Sequence, residues 1–145
     1  MQTVKLFIDE YITVMSPVAV ALDRLQGNKT ESNSFMGALI PTLLTVKQKL
    51  DDLLNSTRLT HCTPLARALQ KGLEKRFGHL LNLEDSANEY IVAAVSHPFF
   101  KLRWVPTDCI DKCRMLFLKT HINRLQHTLR DRSNRHIFHQ HYHGS

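Results

Sequence analysis

Glycine and proline are scarce, at 5 residues each in a chain of 145, which leaves too few turn formers for the many short strands of a sandwich or barrel. Cysteine is scarcer still. Cys62, Cys109 and Cys113 form an odd, sparse set that excludes a disulfide framework and fits reduced thiols in a nuclear or cytoplasmic protein. The charge-free stretch 11–22 has 12 residues and contains Pro17, too short to span a bilayer. A secretory start is not visible either, because Asp9 and Glu10 interrupt the apolar residues near the N-terminus and no small-residue cleavage site follows. Apolar residues at 43% and charged residues at 22% are ordinary for one globular domain, and they exclude collagen-like and wholly disordered chains.

Acidic residues run short in one region only. Residues 1–96 hold 10 Lys and Arg against 10 Asp and Glu, whereas residues 97–145 hold 9 against 3, so the net charge of +6 sits in the last third. Seven of the 9 histidines lie there too. This layout suits either an acidic partner, such as nucleic acid, an anionic membrane or an acidic protein, or a solvated basic face.

Apolar spacing predicts an all-α protein, an irregular bundle of about five helices. The stripe Val4, Ile8, Tyr11, Met15, Val18, Leu22 and Leu25 predicts a first helix. Pro17 opposes it by about 3 kcal/mol, but burying seven such side chains offers roughly 10 kcal/mol, so a single kinked helix is expected. The polar run 27–34 reads as a flexible loop. Leu39, Leu43, Val46, Leu50 and Leu53 predict a second helix over 36–56, with Pro41 tolerated near its start. Thr63 and Pro64 form an expected N-cap pair for a third helix over 64–80, carried by Leu65, Leu69, Leu73, Phe77 and Leu80. Ser86 and Glu89 have capping-box spacing before a short fourth helix that Pro98 stops. Thr107 is placed to cap a fifth helix running to about residue 130 through Ile110, Leu118, Ile122, Leu125 and Leu129. The domain boundaries expected are 1–130 for the helical region and 131–145 for a disordered, His-rich tail.

Candidate chemistry is sparse. Cys109 and Cys113 with His139 and His143 would make a zinc set only across a 25-residue gap, wider than the roughly 12 to 15 residues of a compact finger, so the cysteines read as small apolar residues of the fifth helix. His136, His139, His141 and His143 read as a tail without a specific metal site. The adjacent acids Asp51 with Asp52, and Glu84 with Asp85, point in different directions on a helix, which argues against a metal-dependent nuclease. The chain has no Gly-rich phosphate loop, no Gly-x-Ser-x-Gly and no His-Glu-x-x-His. No catalytic residue, cofactor or metal ligand is assigned.

The densest signal is 96–106, where Phe99, Phe100, Leu102 and Trp104 interleave with Lys101 and Arg103. Such a mixture grips a backbone phosphate while stacking on a base, or else locks its aromatics onto a core and turns its cations to water. The candidate nucleic-acid contacts are Lys101, Arg103, Trp104, Lys112, Arg114, Lys119, Arg124 and Arg130.

Val92-Ala93-Ala94-Val95-Ser96-His97-Pro98-Phe99-Phe100-Lys101 resembles the Ala-rich helix and Asp-Pro-x-x-Lys element of hAT-superfamily transposases and their zinc-finger BED relatives. Glu10-Tyr11, Pro17, Leu22 to Gly27, Pro41, Leu50 and Lys75-Arg76-Phe77 match further elements in order, over about residues 10–105. The resemblance implies the helical insertion of a larger ribonuclease-H-like fold, without the finger, the strands with the first two catalytic acids, or the motif with the last one. His97 also stands where the family often has Asp. The expected function is that of a non-catalytic, transposase-derived fragment that associates with nucleic acid through its basic third. The alternative is a helical module for protein interaction or self-association, with itself or a full-length relative as partner, and with neither membrane nor small-molecule substrate.

Overall fold

The computed structural model describes residues 1–26, 35–56 and 59–141. Five helices follow in order: α1 (Gln2–Gln26), α2 (Phe35–Ser56), α3 (Thr63–Leu81), α4 (Asn88–Ser96) and α5 (Ile110–His141). Short 3-10 turns, Asp85–Ala87 and Thr107–Cys109, lead into α4 and α5, and the described residues contain no strand. The all-α bundle expected from apolar spacing is the fold observed. The chain divides into two compact units between Trp104 and Val105.

In the first unit α2 is the central element, packed against α1, α3 and α4. Four members of its expected stripe, Leu39, Leu43, Val46 and Leu50, are closed off from solvent, and the fifth, Leu53, is half-buried. One part of the core joins Val14 and Ala21 of α1, Val46 and Leu50 of α2, and Cys62 and Ala66 at the start of α3. Ile91, Val92 and Ala94 are the buried residues of α4, which packs against the same central helix.

α1 runs as one helix through Pro17, as expected, but it buries a different line. Glu10, Val14, Pro17 and Ala21 face inward, one residue and about 100° around from the predicted stripe. Two physical reasons select this line. Val14 and Ala21 pack with Val46 and Leu50 of α2, and the Glu10 carboxylate has a fixed task ahead of α3. Val4, Ile8, Tyr11 and Leu22 of the predicted stripe are consequently exposed.

Three predicted caps are replaced by other devices. Thr63 turns its hydroxyl back to donate to the Leu59 carbonyl at 3.1 Å and leaves the α3 entry uncapped by side chains of its own segment. The Ser86 and Glu89 pair makes no cap bond at α4, which is entered through the preceding 3-10 turn. Thr107 likewise starts a 3-10 turn rather than capping α5. α4 ends at Ser96, where His97 adopts the extended backbone that a following proline enforces.

α3 ends in a hydrogen-bonded reversal. The Glu84 N–H donates to the His79 carbonyl at 3.0 Å and the Leu83 N–H to the Leu80 carbonyl at 3.2 Å, the paired bonds of a Schellman motif. Leu83 occupies its left-handed position, with φ of 51°. Glycine is usual there, but the Leu83 side chain is only 1% exposed. Burying it offers about 2 to 3 kcal/mol, which exceeds the roughly 1 to 2 kcal/mol cost of the conformation.

The second unit is dominated by α5, 32 residues long. Its backbone continues past residue 130 to His141, within the stretch expected to be a tail, while 142–145 lie outside the described residues. The loop expected over 27–34 also lies outside them.

Candidate helix-binding groove and the basic segments

The stripes of α1 and α3 meet in a groove of about 910 Å³ floored by α2. Val18, Leu22 and Leu25 line one wall, Leu65, Leu69, Leu73 and Phe77 the other, and Leu39, Leu43, Val46 and Leu50 the floor. Gln26 and Arg76 are the polar residues of this lining. The wall residues on α3 stay half-buried although their spacing is that of a core face. A methyl group added at Gly72, on the same wall, would meet no atom within 4 Å. Both helices therefore aim leucine ridges at space that no part of the described unit fills.

Outside the groove lining, Glu10 joins α1 to the segment ahead of α3. Its carboxylate accepts the backbone N–H groups of Thr60 and His61 at 2.8 Å each and of Cys62 at 2.9 Å. These bonds tie the middle of α1 to the backbone of Thr60, His61 and Cys62, just ahead of α3, across about 50 residues of sequence. The Thr60 N–H is the main cause holding the Glu10 carboxyl below its ordinary value, outweighing a burial effect that pushes the other way. His61 and Cys62 N–H groups and the nearby His61 imidazole add to the lowering. Beside it, burial and the Glu10 charge push the Cys62 thiol up, so it is a protonated core group. On the other side of α3, Lys47 of α2 pairs with Glu74 at 3.4 Å.

The predicted nucleic-acid contacts fall in both units. In the first, 97–104 forms a compact turn: the Trp104 indole N–H donates to the Lys101 carbonyl at 2.8 Å, and Lys101 has φ of 50°. His97 lies over Phe100 at 4.8 Å between ring centroids, and Phe99 meets Phe100 edge to face at 5.1 Å. Trp104 thus braces the turn, whereas Phe99 is 69% exposed beside the exposed Lys101 and Arg103. In the second unit α5 places Lys112, Lys119 and Arg130 on one face, with Arg124 about 120° away and Arg114 nearly opposite. Arg114 pairs with Asp111 at 3.3 Å. The cations of α5 encircle the helix.

The sequence-level acids do not converge. Asp51 accepts a hydrogen bond from Gln70 across the α2 and α3 contact, and Asp52 is exposed. Among the described residues no group of three or more His, Cys, Asp or Glu is placed to hold a metal ion. Cys109, at the end of the 3-10 turn, and Cys113, on α5, are unpaired thiols, and burial pushes Cys113 up. The side chains of His136, His139, His141 and His143 lie outside the described residues. No helix among the described residues is long and apolar enough to cross a membrane.

No family model matches the chain, and neither a curated protein nor a solved structure resembles it significantly.

Sequence reasoning missed Glu10 and the groove for related reasons. Glu10 stood out in the sequence as an interruption of apolar residues and as part of Glu10-Tyr11, neither of which marks a buried carboxylate with backbone partners. The stripes of α1 and α3 were both visible, but periodicity tells which face is apolar and not whether a neighbour covers it.

Proposed function

We propose that this chain is a non-catalytic helical interaction module whose first unit takes an amphipathic helix from another protein into the α1, α2, α3 groove. One observation carries the reading: two helical leucine stripes, partly packed against the core, also line an apolar opening of about 910 Å³. Ridges spaced three and four residues apart fit the grooves of another helix, and a fourth helix in this position would complete a bundle. A relationship to the insertion region of hAT-type transposases belongs to the same proposal, supported by the ordered elements from Glu10 to Lys101. So does a nuclear or cytoplasmic setting, supported by three unpaired cysteines.

An uncharged amphipathic peptide of leucine, alanine and glutamine, about 14 residues long, is the direct probe. We expect it to bind the wild-type chain and gain helicity, and to bind at least about tenfold more weakly to Leu69→Glu and to Gly72→Leu. The second variant is informative because leucine at an open helical position favours the helix by roughly 0.8 kcal/mol over glycine while obstructing the groove. Peptide binding that is absent in the wild type, or unchanged in a folded Gly72→Leu, removes the proposal.

Nucleic-acid association is the second reading, and the exposed Phe99 beside Lys101 and Arg103 is what favours it. Engagement of about six phosphates gives a log-log salt slope near −5 on duplex DNA. Phe99→Ala is expected to weaken single-strand binding by about 1 to 3 kcal/mol, the usual worth of one stacked base. A titration at low salt showing no binding to either form of DNA eliminates this reading.

A further inference from the structure

α5 carries a second apolar surface, independent of the groove. Met115, Leu118, Ile122, Leu125 and Leu129 recur at alternating steps of three and four residues. This is the a and d pattern of a coiled-coil seam over two heptads. All five are exposed, between 46% and 65%. A helix that presents five large side chains in one line to water has a face made for another helix.

The flanks decide what that helix is. With Met115, Ile122 and Leu129 at the a positions, Arg114 and His121 take g positions and Lys112 and Lys119 take e positions. Residues 110–133 hold six Lys and Arg, at 112, 114, 119, 124, 130 and 132, against Asp111 and Asp131. Asp111 is engaged by Arg114 at 3.3 Å, and Asp131 lies 3.2 Å from His127. A second copy of α5 in parallel would set Arg114 against Lys119 of its mate, and an antiparallel copy would also set cation against cation. Self-pairing is opposed by the residues that border the seam. An acidic helix reverses every one of these contacts.

We propose that the Met115–Leu129 seam of α5 docks an acidic amphipathic helix of a different protein, with apolar a and d positions against the seam and Glu or Asp at the positions facing Arg114, Lys119 and His121. Leucine at Leu118 and Leu125 in the d positions and isoleucine at Ile122 in an a position favour a parallel two-stranded arrangement. Neutral Gln126 and Thr128 flank the C-terminal layers, so charge selection is concentrated at the N-terminal half of the seam.

The test uses the full chain and synthetic peptides of about three heptads with leucine and isoleucine at a and d. One peptide has Glu at e and g, a second has Lys there, and a third has Glu at e and g but Ser at a and d. We expect the first to bind at least about tenfold more tightly than the other two, and to weaken as salt is raised. Leu118→Glu with Leu125→Glu changes only exposed side chains and should reduce that binding by about tenfold or more, with helicity by circular dichroism preserved. Leu69→Glu, in the α1, α2, α3 groove, should leave it unchanged, so loss of one site is distinguishable from loss of the other. Equal affinity for the Glu and Lys peptides, or full binding by the Ser peptide, overturns the proposal. So does a wild-type dimer in sedimentation that the double variant dissociates, because a second copy is then the occupant. Displacement of the acidic peptide by duplex DNA overturns it as well, since the cations rather than the seam would then hold the peptide.

Discussion

Glu10→Gln is expected to lower the thermal midpoint at neutral pH by on the order of 10 °C, with the helical spectrum of the folded state retained. The carboxylate accepts three backbone N–H groups through two oxygens, whereas glutamine offers one oxygen and turns an NH2 group toward the remaining donors. Those donors sit just ahead of α3, where the chain supplies no side-chain cap of its own. Losing the anchor therefore frees both the start of α3 and the middle of α1. The variant also changes the acid limb of the stability curve. Because the folded state lowers the Glu10 carboxyl below 4.5, mainly through the Thr60 N–H, its contribution is complete above that pH and is lost as pH falls through the lowered value. Urea midpoints measured at pH 7, 4 and 3 should show the gap between wild type and Glu10→Gln narrowing with acid. A gap that is absent at pH 7, or constant across the series, contradicts the anchoring role.

At Leu83 two substitutions should invert their customary order. Leu83→Ala loses the burial of a side chain that is 1% exposed while keeping a Cβ at φ of 51°, and is expected to cost about 3 kcal/mol. Leu83→Gly loses the same burial but relieves the left-handed strain, and should be more stable than the alanine variant by roughly 0.5 to 1 kcal/mol. In a helix interior alanine outranks glycine by about the same amount, so the sign separates a Schellman reversal from a continued helix. Chemical denaturation of the two variants decides it. If alanine proves the more stable, the buried left-handed leucine is not the closing element of α3.

The groove and the seam differ in how far periodicity alone reveals them. Leu118, Ile122, Leu125 and Leu129 were marked by spacing as an apolar stripe, and only their exposure identified a face without a partner. Leu69 and Leu73 were marked in the same way as the stripe of the third helix, and the opening against Leu22 and Leu25 makes them a wall. In α1 the apolar residues occur on several sides, so spacing fitted the line through Tyr11 and Val18 as well as the one through Val14 and Ala21. Packing of Val14 and Ala21 against α2, with Glu10 bonded ahead of α3, set the buried line.

Local chemistry set what depends on near neighbours: five helices, the stop before Pro98, the central stripe of α2 and a basic final third. These follow from backbone sterics, 3.6-residue periodicity and charge counting, which operate within a few residues of each other. Tertiary structure decided which face of α1 is inside, that Glu10 bonds the backbone ahead of α3 from about 50 residues away, and that two leucine stripes meet over an open groove. A stripe is a property of one segment, but burial and hydrogen bonding at a distance are properties of pairs, and the pairs exist only once the helices have packed.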